Sequence, residues 1–217
     1  MTGSLVLLSG GIDSATALFM ETRSSDRVVT LSVNYHKRNQ REAEAARNIA
    51  RAAGVSEHLE VDLRFMREAM DLDEEIRREV TELGVPLTFI PFRNLVFYSV
   101  GLYYAYVLRL ERAVVGHVFE DASLFPDVGE LNIAALNGIV ERMVPWRRLR
   151  VVAPLLGMTK EEVVRTAIEL GVPLELTWSC WLEGERQCGR CPGCRKRRET
   201  FARTGFPDPT EYETPNP

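Results

Sequence analysis

Short apolar runs alternate with stretches of helical period along most of this chain. Leu5 to Leu8 (LVLL) is the first run, and the segment after it puts Ala15, Leu18 and Phe19 on one helical face. The unit repeats: Arg27 to Tyr35 is β-rich, and Asn39 to Gly54 has helix-forming composition with a glycine stop. Further strands are predicted at Glu57–Leu63, Arg112–His117 and Leu149–Pro154. Helices are predicted over 93–110, 131–143 and 159–171, and the charged stretch from Phe65 to Leu83 reads as another. Leu95 to Leu108 is apolar almost throughout, which predicts a buried core helix, while Val118 to Glu130 reads as a long polar loop of functional length. Strands alternating with helices give an α/β fold: a doubly wound parallel sheet, covered on both faces, with right-handed crossovers. Ligands of such sheets sit beyond the carboxyl ends of the strands.

Composition narrows the class. Apolar residues make up 45% and charged residues 27% of the 217 positions, so the chain is expected to fold as a globular protein. A formal net charge of −4 provides no general attraction to polyanions, and a nucleic-acid partner is not expected. The longest apolar run falls short of the roughly 20 residues that span a bilayer, and the first residues lack the basic start of a signal peptide. A cytoplasmic protein without membrane contact is expected. From Thr177 onward the composition shifts to Cys, Gly and Arg. The expected organisation is an α/β domain over 1–176, a cysteine module over 177–205 and a loose tail over 206–217.

The chemistry is concentrated in two places. Ser9-Gly10-Gly11-Ile12-Asp13-Ser14 follows a strand and opens a helix, so unpaired N–H groups and the positive helix end converge there. Glycines let the backbone approach a phosphate, and the serines add hydroxyls. Neither G-x-x-x-x-G-K-S/T nor G-x-G-x-x-G fits, and an ordinary capped βα turn is the bland reading. The second place is Cys180, Cys188, Cys191 and Cys194, spaced C-x7-C-x2-C-x2-C, which are all the cysteines of the chain. Four thiolates in a tight loop suit structural zinc, and the spacing also admits an iron–sulfur cluster. Arg195 to Arg198 (RKRR) is either a nucleic-acid arm or a solvated helix offsetting the anionic thiolates. His36 and His117 follow strands where a pocket belongs and are candidate bases; His58 opens a strand and is a weaker one.

S-G-G-x-D-S after an N-terminal strand resembles the signature of the PP-loop, or N-type ATP pyrophosphatase, superfamily. Together with the cysteine array, it resembles the 7-cyano-7-deazaguanine synthase family. The resemblance implies an adenine nucleotide alpha hydrolase-like (Rossmann-like) fold and an ATP site at Leu8, Ser9, Gly10, Gly11, Ile12, Asp13, Ser14, Ala15 and Thr16. The implied reaction is ATP-dependent conversion of 7-carboxy-7-deazaguanine and ammonia to the nitrile, releasing AMP and pyrophosphate. Mg²⁺ is implied by the triphosphate charge and Zn²⁺ by the cysteines; the family also implies a homodimer. YHKRNQRE matches a family element through Tyr35, Arg38 and Glu42, Pro91-Phe92-Arg93-Asn94 a second, and Pro126-Asp127, with Asp121 before it, a third. Tyr35, Arg93, Asn94, Asp121 and Asp127 are thus the candidate substrate residues. Asp13, Ser14, Arg38 and Lys160 are the candidate catalytic ones. Lys160 is a phosphate contact or a solvated first-turn lysine, and Arg38 and Arg93 are anion contacts or ion-pair partners. The family usually has glycine at Phe92, glycine and glutamine at His36 and Lys37, and tyrosine at Phe125. The alternatives are a tRNA sulfurtransferase with an iron–sulfur cluster, or a synthase-like enzyme that stops at the amide or modifies a protein amine.

Overall fold

A computed structural model describes residues 2–35, 40–66 and 90–214. Among them, β1 (Gly3–Leu7), β2 (Arg27–Asn34), β3 (His58–Asp62), β4 (Arg112–Val114) and β5 (Arg150–Val152) form one sheet in the order β3-β2-β1-β4-β5. Every pairing is parallel. Leu5 and Val6 of the central strand are fully buried, which is why the sequence there reads as an unbroken apolar run. From β1 the chain winds outward to β3 on one side and to β5 on the other. The β1/β4 junction is therefore the topological switch point.

Helices cover both faces. α1 (Ile12–Ser24), α2 (Gln40–Ala52) and α6 (Lys160–Leu170) share one apolar cluster, with Ala15, Leu18, Ala46, Ile49, Val163 and Val164 at its centre. α3 (Arg93–Val107) and α5 (Glu130–Met143) cover the opposite face through Tyr98, Leu102, Ile133 and Val140. α6 is sharply bounded: Thr159 and Glu162 form a capping box, and Gly171 ends the helix with φ 71°. A helix of thirteen residues, α7 (Pro192–Thr204), packs on α6 and sends Phe201 into the main core.

Four expectations are corrected. The loop over 118–130 contains a short helix, α4 (Phe119–Leu124), whose amino end is closed by Asp121 Oδ2 accepting from the Val118 amide (3.2 Å). α3 is not buried on all sides: Tyr98, Gly101, Leu102 and Ala105 face the sheet, whereas Leu95, Tyr103 and Val107 are exposed. The segment expected as a loose tail is docked over 206–214. There Asp208 pairs with Arg197 (3.0 Å), Tyr212 donates to Asp208 (2.6 Å) and lies under Arg198, and Thr214 donates to the Cys188 carbonyl (2.7 Å). Arg197 is likewise no surface charge. It is buried, and its guanidinium donates to the Thr177 hydroxyl (2.6 Å) and the Leu174 carbonyl (2.9 Å). Arg38, with His36 and Lys37, lies outside the described residues, as does the helix expected to Leu83 beyond Met66. No helix among the described residues is long and apolar enough to cross a membrane.

Candidate active site

The loop between β1 and α1 sits at the switch point and is held from three sides. Gly10 has φ 94°, and a Cβ there would lie 2.5 Å from the Glu42 carbonyl oxygen, so the turn demands glycine on both counts. Just past β4, Gly116 backs the loop so closely that a Cβ would meet the Ser14 amide nitrogen at 2.8 Å. On the third side, the Trp178 amide donates to the Gly10 carbonyl (2.9 Å). Gly11 caps α1 without a side-chain hydrogen bond, which leaves first-turn N–H groups for an anion.

The serine hydroxyls brace this loop, and both serines line the cavity beside it. Ser14 Oγ donates to the Gly11 carbonyl (3.1 Å), accepts from the Ser9 amide (3.2 Å) and lies 2.9 Å from Ser9 Oγ. Leu8, Ala15 and Thr16 are buried, Leu8 at the wall of the smaller cavity, and the Thr16 hydroxyl donates to the Ile12 carbonyl (2.8 Å).

Two cavities open on either side of the loop and share Gly11, Asp13, Glu42 and Trp178. One, of about 360 Å³, is lined by Tyr35, Arg93, Asn94, Tyr98 and His117; the other, of about 940 Å³, by Ile12, Glu120, Asp121 and Lys160. Arg93 lies over the Tyr35 ring at 5.7 Å, and Asn94 donates to Asp127 Oδ2 (3.0 Å). Four of the five candidate substrate residues thus line a cavity, and Asp127 stands behind one of them.

Between the cavities, Lys160 Nζ donates to Asp13 Oδ2. Burial works to raise the Asp13 carboxyl and Lys160 works to lower it, with the net direction upward. Burial works against the Lys160 ammonium, but Asp13, Asp121 and Glu120 together raise its pKa, so it stays charged. Lys160 is therefore not a solvated first-turn lysine. Glu120 also accepts from the Lys160 amide (3.0 Å), while its other oxygen is buried without a hydrogen-bond partner. Burial, then the Arg93 charge, pushes the His117 imidazole down to about 4, which keeps it neutral. The sequence reading did not find Gly116, Tyr98 or Trp178. Only Gly116 carried a signal, a glycine near the end of a predicted strand.

The four cysteines converge as expected. Their sulfur atoms all lie within 4.8 Å of one another, with Cys188–Cys194 and Cys191–Cys180 at 3.9 Å. A tetrahedral thiolate site with metal–sulfur bonds of about 2.3 Å has edges of about 3.8 Å, so the set fits a single ion. A four-iron cluster attaches each thiolate to a different iron and needs a wider frame. Amide groups of Trp181, Cys188, Arg190, Cys191 and Cys194 donate to the sulfurs at 3.3–3.5 Å and disperse thiolate charge. Burial opposes the Cys188 thiolate, but the Arg190 and Cys191 amides outweigh it and bring that thiol down to about 7.

The chain matches the family described as "Queuosine biosynthesis protein QueC" over residues 3–205. A 7-cyano-7-deazaguanine synthase of Chlorobaculum tepidum is 34% identical over 218 residues, covering 97% of this chain and 96% of that protein. Its namesake in Thermosynechococcus vestitus is 36% identical over 221 residues, covering 96% and 95%. Among solved structures, the NH3-dependent NAD synthetase from Campylobacter jejuni superposes with a TM-score of 0.54 at 17% identity, over 81% of this chain and 66% of that one. The U34-tRNA thiolase NcsA from Methanococcus maripaludis, solved with its 4Fe-4S cluster, gives 0.52 at 15% identity, over 94% and 64%. At such identities these two establish the fold alone. The anion cradle at the switch point, the closed cysteine cluster and a family match over nearly the whole length agree, and the chain belongs to the QueC family.

Proposed function

We propose that this protein converts 7-carboxy-7-deazaguanine and ammonia to 7-cyano-7-deazaguanine, using one ATP for each oxygen removed. The observation that carries the reading is the cradle itself: an uncapped helix start, faced by the Asp13–Lys160 pair, at the junction of two cavities. The α-phosphorus of ATP then lies where the two cavities meet. The substrate carboxylate attacks it, the bond to pyrophosphate breaks, and the first-turn amides of α1 take up the leaving charge. Lys160, held charged by Asp13, stabilises the same charge. Ammonia adds to the acyl carbon and AMP departs with the C–O electron pair, leaving the amide. The amide oxygen repeats the attack on a second ATP, and loss of the amide protons with AMP gives the nitrile. No enzyme nucleophile is needed, so the chain contributes position and charge. Tyr35, Arg93 and Asn94 hold substrate in the smaller cavity, and Asp121 faces it from the larger.

Asp13 would hold magnesium with Glu120 and Asp121 close by, and the unpaired Glu120 oxygen suits a cation there. Bound magnesium supplies charge neutralisation of the triphosphate. The cysteine cluster would hold zinc as a closed, structural site, and the short sulfur–sulfur distances support it over an iron–sulfur cluster. All four cysteines of the chain are committed there, which leaves no thiol to carry sulfur to a tRNA base. Four cysteines gathered as a metal site suit a cytoplasmic location. Exposed Leu131, Ile139 and Met143 on the outer face of α5 support a homodimer.

Mass spectrometry of products from the 7-carboxy acid, ATP and ammonium tests the function. The nitrile with AMP is expected. Accumulation of amide alone, a protein adduct, or release of ADP refutes it.

A further inference from the structure

The four cysteines are not held alike. Cys191 caps α7 and Cys194 lies in its first turn, and that helix is anchored in the main core by Phe201. Cys180 is tied by its carbonyl to the Trp178 indole, whose own amide reaches Gly10. Cys188 lies on no helix or strand. It follows a loop exposed at 181–183 and 185–186, and it leads into a tight turn at Gly189, where φ is 74°. A thiolate stays on its ion only while its backbone keeps it within bonding distance, so the ligand on the least anchored segment is the first to leave.

The Gln187 side chain pairs with the Ser179 amide (2.9 Å) and the Thr177 carbonyl (3.0 Å), and the backbone beside it is held by the C-terminal segment. Gln187 and Tyr212 form an isolated parallel bridge, the Glu213 amide donates to the Gln187 carbonyl (2.9 Å), and the Thr214 hydroxyl donates to the Cys188 carbonyl. Tyr212 packs against the cysteines, and the Arg198 guanidinium lies over its ring, 4.0 Å from the centroid. Arg198 also donates to the Thr214 carbonyl (2.6 Å). Thr214 and Arg198 close over the turn so tightly that a Cβ on Gly189 would lie 2.5 Å from Thr214 Oγ1 and 2.7 Å from Arg198 Nη2. Asp208, paired with Arg197 and the Tyr212 hydroxyl, fixes the near end of the segment to α7. None of residues 206–214 lines either active-site cavity, so the segment serves something other than substrate contact.

We propose that residues 208–214 are a strap that holds the Cys188 turn closed over the metal site and sets the rate at which an ion escapes from it. The strap's purpose rests on the reading of the cysteines as a zinc site. Lifting it removes both backbone hydrogen bonds at 187–188, frees the Cys188 thiolate to swing away and opens the fourth position to a competing ligand.

The test is the rate at which zinc passes from the loaded, full-length protein to an excess of chromogenic chelator, with Thr214→Val, Thr214→Ser and Tyr212→Ala beside the parent. Thr214→Val keeps the side-chain shape and removes one hydroxyl, so it is expected to fold. It should lose zinc about fivefold faster or more, the effect of one hydrogen bond. Thr214→Ser restores the hydroxyl and should return to within about twofold of the parent rate, while Tyr212→Ala should be at least as fast as Thr214→Val. An unchanged rate in Thr214→Val overturns the proposal. A Thr214→Ser protein that leaks as fast as the valine variant overturns it too, because packing alone would then explain the effect. If the parent binds no zinc, the metal reading fails, and the strap is judged by alkylation of the cysteines followed by peptide mass spectrometry. There Thr214→Val should react about fivefold faster at Cys188, with Cys194 within about twofold of the parent. Equal acceleration at all four cysteines would mean general loosening and would overturn the strap.

Discussion

Phe92 enters α3 with φ 62° and ψ −1°, a left-handed backbone that costs a residue with a Cβ roughly 1–2 kcal/mol. Its ring is 72% exposed and recovers little of that by burial. Glycine removes the strain and gives back part of the gain through its unfolded-state entropy, so Phe92→Gly is expected to stabilise the protein by about 0.5–1 kcal/mol. A denaturant midpoint that falls instead would show that the ring makes a contact of value. At this scale the cradle was largely legible, because Ser9 to Ser14 is a local pattern and local patterns survive in one dimension. What was hidden depends on neighbours distant in sequence. Gly116 matters through a methyl group it does not have, 2.8 Å from the Ser14 amide, and Tyr98 through a hydroxyl left unpaired inside an apolar helix.

At the scale of elements, periodicity located most strands and helices but misjudged which faces they bury. α3 carries apolar residues on its outer face as well as its inner one, and composition alone does not separate the two. RKRR reads as uniformly charged until the helical period is laid over it. Cys194, Arg197, Phe201 and Thr204 then fall on one stripe, and all are buried. Arg197 is the charged member of that stripe; it pairs with Asp208 and donates to the Thr177 hydroxyl and the Leu174 carbonyl. Breaking one partner of a buried pair strands the other, so Arg197→Met should cost about 3 kcal/mol in a denaturation experiment. A loss below about 1 kcal/mol would mean that the docked tail is not fixed by this residue.

For the whole molecule, the strand order brings residues near the two ends of the chain to one place. The Trp178 amide holds Gly10, and its indole donates to the Cys180 carbonyl (2.9 Å), so a single residue joins the glycine turn after β1 to the cysteine cluster. Composition had marked these as separate features because nothing in a linear reading connects position 10 to position 178. Removing the metal with a chelator should therefore weaken ATP binding by tenfold or more as well as loosen the module, with both restored by added zinc. Calorimetry showing full ATP affinity in metal-free protein would sever that connection.

The same connection sets an order of events during synthesis. The glycine turn after β1 is synthesised well before its lysine partner, which comes 147 residues behind Asp13, and before its backbone clasp, Trp178, which comes later still. A nascent chain that stops short of Lys160 thus carries the turn with neither its cationic partner nor its clasp.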